Sequence, residues 1–311
     1  LTVTCTETGG GGFSNFTSAL TIAGSNVDFT NCKFASTVVV NDANSSFTNG
    51  SITGAVTVSG HDTTFNNATL SSTLNASHRV IIENGTDIAG TLTLNADNSS
   101  VDASTIRSTT ALGAKNITIQ NSTVKNTISS ADGVDVEGLT LASNTFDGAG
   151  NHEAISIGTG SSEDSAMTFN ANTFSGDITK AIILKSGKSS IYANTIGSNL
   201  AAGEATANIG IDVIAGNHTL GDETQTFNTI DGYAIGIKVD NAATASGSYN
   251  KFQNNTKDVS TNKAANSFLE ILKSWFGAAD GPTNDTGQGS GGVVEGNVEY
   301  SPFIIADDMD Q

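Results

Sequence analysis

The chain has 311 residues, with 13 Lys and Arg against 31 Asp and Glu, a formal net charge of −18 and a sequence pI near 4.3. That balance argues against nucleic acid or an anionic membrane surface as partner, because phosphates would meet a like-charged protein. No apolar run approaches the roughly 18 residues of a membrane-spanning helix, and the 37% of apolar residues is too regularly patterned for a disordered chain.

Residues 1–19 read as an irregular first coil and N-terminal cap. The glycines at 9–12 make a flexible link; a phosphate loop would need a Lys after them and a following helix. Phe13 and Phe16 are expected to cover the open end of the core. From 20 to 107 the chain repeats every 18 residues without a gap: LTIAGSNVDFTNCKFAST, VVVNDANSSFTNGSITGA, VTVSGHDTTFNNATLSST, LNASHRVIIENGTDIAGT, LTLNADNSSVDASTIRST. Ile22, Val40, Val58, Ala76 and Leu94 form one apolar column. Phe29, Phe47 and Phe65, then Glu83 and Val101, form a second, and Phe34, Ile52, Leu70, Ile88 and Ile106 a third. A period of this length marks a unit that cannot bury its apolar face alone and is completed by its neighbours. Short alternating strands, three per repeat and stacked in register, make one turn of a parallel β-solenoid. Glu83 breaks its column, and the nearby Val80 and Ile82 predict a one-residue slip or bulge that restores an inward apolar side chain. Asn31, Asn49, Asn67 and Asn121 precede the third column, where a turn asks for left-handed backbone angles and stacked amides can bond along the stack.

After 107 the period loosens, and 116–124 and 134–146 continue the strand pattern in coils of 21 and then 27 residues. A second ladder aligns AISIG at 154–158, AIILK at 181–185, NIGID at 208–212 and AIGIK at 234–238. Between these recur Asn-Thr-Phe-type turns beginning at Asn144, Asn172, Asn194, Asn228 and Asn250. Longer loops at 161–165, 198–206 and 220–225 are where a binding function would sit. From 262 the pattern reads as a helix, with Asn262 as its cap and an apolar stripe of Phe268, Leu269, Ile271, Leu272, Trp275 and Phe276. Such a helix would plug the open strand ends of a solenoid. Residues 277–292 read as a loop, 293–305 as a last strand, and 306–311 as a frayed acidic tail. The expected organisation is an N-terminal cap at 1–19, a parallel β-helix at 20–261, and a C-terminal capping helix, loop and last strand at 262–311.

Cys5 and Cys32 allow either a disulfide tying the N-terminal cap or two buried thiols. Asn-x-Ser/Thr sequons are abundant, among them Asn49, Asn67, Asn121 and Asn254, which suits a surface-exposed glycoprotein in a secreted or cell-surface setting. The start at Leu1, without Met or signal peptide, reads as a mature or excised segment.

The Asn-Thr-Phe turns and the AIGI-type strands at 22–28-residue spacing resemble the right-handed parallel β-helix proteins of the pectin-lyase-like superfamily. SWFG at 274–277, Gly281 with Pro282, and VEGNVEYSPF at 294–303 look like the terminal signature of NosD-like, surface-associated β-helix repeats. The likeness covers 134–303. An 18-residue coil also suits a left-handed hexapeptide helix, but that fold needs an inward residue every six positions and the spacings here run 7, 5 and 6. The expected fold is therefore all-β, a right-handed parallel β-helix of roughly a dozen coils with a short C-terminal capping helix.

The resemblance brings polysaccharide lyases and hydrolases into view. Polygalacturonase-like hydrolases carry NTD, GHG and RIK motifs with paired Asp residues; none of the three motifs is present, and the adjacent pair Asp307 and Asp308 lies in the tail. Pectate-lyase-like enzymes need carboxylates for calcium and an Arg or Lys base; Arg79 and Arg107 both lie in early coils. The ladder alignment puts Lys185, Asp212 and Lys238 in one outward column about 4.8 Å apart. A lyase could use a Lys beside that Asp as proton acceptor, and a purely structural solenoid would use the alternating charges to hold register. His61, His78, His152 and His218 show no shared column and no metal-ligand spacing. No cofactor is implied; calcium is a possibility without a residue signature. Flat Thr arrays for ice are interrupted by Val39 and Asn75. The expected function is a non-catalytic extracellular or cell-surface structural protein (adhesin stalk, surface-layer component or self-assembling filament subunit), with self or polysaccharide as partner. The alternative is a polysaccharide-binding or lyase-type β-helix using loops after Ile157, Ile196 and Ile214, for which Tyr192, Tyr233, Tyr249, Tyr300 and Trp275 are the few candidate surface rings.

Overall fold

The computed structural model describes residues 1–5, 15–158, 166–198, 208–221, 227–264, 267–284, 287 and 289–304, and for 149–151 the backbone alone. The glycines at 9–12, Phe13, the loop residues 161–165, 199–206 and 222–225, and the tail 306–311 with Asp307 and Asp308 lie outside the described residues. Every regular element among the described residues is a β-strand, and the strands stack in parallel as a β-solenoid. The chain forms two compact units, Leu1–Thr140 and Leu141–Gln311.

In the first unit each coil contributes three short strands, as in Asp28–Thr30, Lys33–Phe34 and Val38–Val40. The three apolar columns pair residue to residue: Phe29 with Phe47 and Phe65, Phe34 with Ile52 and Leu70, and Ile22 with Val40 and Val58. Phe29, Phe47 and Phe65 stack at 5.4 and 5.2 Å between centroids, with interplanar angles of 13° and 10°. At Glu83 the slip is realised. Thr63 pairs with Val80 and Phe65 with Ile82, so Ile82 enters the core while Glu83 turns outward to accept a hydrogen bond from Asn66 Nδ2 at 2.8 Å. Ile82 then pairs with Val101, which restores the register. A fourth buried column, Val38, Val56, Leu74 and Leu92, opens the third strand of each coil.

The 18-residue period runs beyond 107: Val101 pairs with Ile119, Ile106 with Val124, and Leu112 with Ser130. Its apolar signal fades because two inward columns pass to buried polar residues, Thr110 after Leu92 in one and Ser130 after Leu112 in the other. Asn31, Asn49, Asn67 and Asn121 have φ of 58°, 53°, 49° and 51°, the left-handed region that Asn reaches at least cost after Gly. Asn67 Nδ2 donates to Asn49 Oδ1 at 2.8 Å, one coil away. Before the repeat, Thr2–Thr4 pairs with Asp28–Thr30 and Asn15–Phe16 with Lys33–Phe34, with the Phe16 ring stacked on Phe34 at 4.8 Å. Cys5 and Cys32 are joined as a disulfide.

In the second unit the residues before the outward-inward pairs are Asn144, Asn172, Asn194, Asn228 and Asn250, all no more than 1% exposed. Their amides bond to one another down the stack: Asn144 to Asn172, Asn172 to Asn194, Asn194 to Asn228 and Asn228 to Asn250, at 3.0–3.1 Å. Spare amide hydrogens donate to carbonyls such as Leu141 and Phe169, so the buried polar column is satisfied internally. The left-handed turn falls one residue earlier, at Ser143, Ala171, Ala193 and Tyr249.

Among the described residues the helix expected from 262 is absent, and 267–276 form part of another coil. Leu269–Leu272 is a strand, with Ile271 paired to Gly247 and with Leu269 and Ile271 buried while Glu270 is exposed. Lys273 then turns at φ 45°, Ser274 is buried in the position that Asn occupies in earlier coils, and Trp275 bridges Lys251. Phe276 stacks on Phe252 at 5.2 Å. The physical reason is that a strand plus a turn plus an outward-inward pair spaces its apolar residues much as a helix does, and the open backbone edge of the preceding coil settles the choice.

Candidate functional site

The charged column of the second unit differs from the sequence alignment. Ile155, Ile182 and Ile211 share one row, and Ser156, Ile183, Asp212 and Lys238 the next. Lys185 thus lies two residues past the row that holds Asp212. A two-residue slip keeps every inward side chain inward, so hydrophobic alternation cannot detect it. Lys180 takes the place expected of Lys185: its Nζ donates to Asp212 Oδ2 at 2.7 Å, and Lys238 Nζ lies 3.5 Å from Asp212 Oδ1 and 2.9 Å from Asp240 Oδ1. The Asp212 side chain is only 3% exposed, and an isolated carboxylate there would cost several kcal/mol, which the two ammonium groups offset. Burial on its own would depress the Lys238 ammonium, yet hydrogen bonds and charge from Asp240 and Asp212 hold it above the usual lysine range. An ammonium held protonated in this way is a poor proton acceptor.

The histidines are less scattered than their spacing implies. In the first unit the rings of His61 and His78 meet edge to face at 4.4 Å, because the slip that brings Val80 opposite Thr63 also shortens the distance between these two turns to 17 residues. Arg79 pairs with Asp62 at 2.8 Å on the same surface. In the second unit His218 is 1% exposed, its Nδ1 2.8 Å from Ser189 Oγ and its Nε2 2.8 Å from the Ala215 carbonyl. Burial lowers its pKa, and the Ala215 carbonyl offsets part of that. Ser189 is equally buried, so this Ser–His pair has no access to substrate and serves packing. Tyr233 is no surface ring either; it is fully buried with its hydroxyl donating to the Gly197 carbonyl at 3.2 Å.

One concave site stands apart. In the second unit the turn after Phe252 and the segments around Trp275 and Gly292 enclose an open cleft of about 430 Å³. Asp258 reaches its wall although only 2% of the residue is exposed. Its Oδ1 accepts one hydrogen bond, from Asn255 Nδ2 at 3.2 Å, and among the described residues it makes no ion pair. Burial pushes this carboxyl up to about 7, against the hydrogen bond from Asn255, which lowers it. Glycine at 292 is needed here, since a β-carbon would collide with the carboxylate. Trp275 is half-buried along the same cleft, and its indole N–H has no partner among the described residues. The sequence held the signal for the indole, the single Trp of the chain, but its spacing fitted a helix stripe. Asp258 carries no local signature, because its burial is set by coils distant in sequence.

Among the described residues no group of three or more His, Cys, Asp or Glu converges as a metal site, and no helix is long and apolar enough to cross a membrane. Comparison with protein-family models, with curated proteins and with solved structures finds no match to this chain.

Proposed function

We propose that this protein is a non-catalytic structural solenoid of an extracellular or cell-surface setting, an adhesin stalk, surface-layer component or self-assembling filament subunit. The observation that supports this reading is where the polar side chains go. They bond from coil to coil: Asn121 to Asp102 at 2.8 Å, Arg107 to Asp87 at 2.7 and 2.8 Å, Lys180 to Asp212 at 2.7 Å, and the buried Asn column of the second unit. Groups that an enzyme would direct at a substrate are here holding register between neighbouring coils. Kinship with the pectin-lyase-like β-helix proteins and their NosD-like surface repeats belongs to the same proposal, carried by the Asn-Thr-Phe turns.

The test is light scattering and negative-stain imaging of the purified chain across concentration, with a parallel assay for new reducing or unsaturated sugar ends on a panel of polysaccharides. Fibres or ordered arrays support the filament or surface-layer form, and a monodisperse, inactive chain supports the stalk form. Sustained turnover of any polysaccharide overturns the reading.

A further inference from the structure

We propose that the cleft walled by Asp258, Trp275, Asn254 and Gln253 in the second unit binds a neutral saccharide. The proposal does not rest on the scaffold role, and a stalk or filament could carry such a cleft equally well.

A carboxylate withdrawn from water is held by a cation or by several hydrogen bonds wherever it serves only the fold. Asp212, in the same unit, follows that rule with Lys180 and Lys238. Asp258 is as deeply buried but has a single hydrogen bond, from Asn255, and no ion pair among the described residues. It borders the cleft, so the acceptor capacity that the fold does not use is available to a ligand. The backbone of Gly292 packs against the carboxylate, where any side chain would collide with it.

The remaining walls narrow the ligand class. Trp275 supplies an apolar ring face and an N–H without a partner among the described residues, the combination that meets the C–H face and hydroxyl rim of a sugar ring. Gln253 and Asn254 add amide donors and acceptors at the rim, with Asn254 anchored through Asp231 Oδ1 at 2.9 Å. Carboxylate, amides and indole together supply acceptors, donors and one stacking surface, as a polyhydroxylated ligand requires. Among the described residues no Lys, Arg or His lines the cleft to attract a uronate or a phosphate, and Asp258 in its ionised form would repel one. A metal ion would leave the indole unused and would need more oxygen ligands than one carboxylate supplies. The cleft volume of about 430 Å³ falls in the range of small-molecule sites.

The sole Trp of the chain makes the test direct, since its emission reports on this cleft alone. The full chain is titrated with neutral oligomers of glucose, mannose, galactose and N-acetylglucosamine, with oligogalacturonate and chitosan oligomers as charged controls, followed by Trp275 fluorescence and calorimetry. At least one neutral oligomer should give a saturable emission change with matching heat. Asp258→Asn, which keeps the shape and halves the acceptor capacity, should weaken it by about tenfold or more. Gln253→Ala, at the rim, should weaken it by a few fold while leaving the melting curve unchanged, which separates lost contacts from lost folding. Silence across the neutral panel, binding of the charged controls alone, or neutral-sugar binding that survives both substitutions without moving Trp275 emission would each overturn the assignment.

Discussion

Asp258 and His218 are buried titratable groups with opposite consequences for stability. The Asp258 carboxyl titrates at about 7 in the folded chain against an ordinary 3.8, so the folded state binds the extra proton between those values. Its contribution is fully present below 3.8 and is lost as the pH rises through 7. Asp258→Asn should therefore raise stability at pH 8, by on the order of 4 kcal/mol at most, and change little at pH 4. His218 runs the other way. Its lowered pKa means the unfolded chain binds more protons, so its contribution is present above 6.5 and is lost as the pH falls from there through the lowered folded value. Urea denaturation across pH reads both effects: the Asp258→Asn chain should lose the decline toward 7 and keep the decline below 6.5. The two slopes oppose each other in the wild-type chain, so the variant-minus-wild-type difference is the readout. A stability gain of Asp258→Asn that does not grow between pH 4 and pH 8 would contradict the Asp258 environment, and an Asp258→Asn chain without a decline below 6.5 would contradict that of His218. Neither group was legible in the sequence, since His218 and Asp258 look like any polar residue in a chain rich in them, and only neighbouring coils bury them.

At the scale of the single coil, stability rests on columns rather than on individual short strands. Phe47 is 1% exposed and lies stacked between Phe29 and Phe65. Phe47→Ala should cost roughly 3–5 kcal/mol, read as a lower urea midpoint at constant slope. Asn194 donates to the carbonyls of Phe169 and Tyr192 and to Asn228, and accepts from the backbone and side chain of Asn172. Replacing it with Ala orphans several buried groups at once and should cost about 3–5 kcal/mol, with Asn194→Leu no better because shape is not what is lost. The disulfide of Cys5 and Cys32 closes a separation of 27 residues, and its removal by Cys5→Ser with Cys32→Ser should lower stability by about 3 kcal/mol through the unfolded chain, measured in the same way. The apolar columns and the Asn turns of the first unit could be read from the sequence, down to the slip at Ile82. The coil at 269–276 could not, because a short run of mixed apolar and polar character fits a helix as well as a strand followed by a turn.

For the molecule as a whole, charge is the property that reaches furthest. At −18 and with a pI near 4.3, chains repel one another at neutral pH, and association is favoured as the pH approaches 4.3. Light scattering should therefore rise as the pH is brought down toward 4.3 and fall again on return to 7; scattering that is insensitive to pH would place self-association under contacts other than charge. Composition and period alone determine this acidity, the all-β solenoid and the inward columns, because each depends on residue type at a fixed spacing. The three-dimensional structure decided which residues of neighbouring coils face each other. It set Lys180 rather than Lys185 against Asp212, brought His61 to His78, and placed Asp258 beside Trp275 without an ion pair among the described residues. A strand pattern repeats every two residues and is indifferent to slips of two, whereas an ion pair or a cleft depends on register to the single residue.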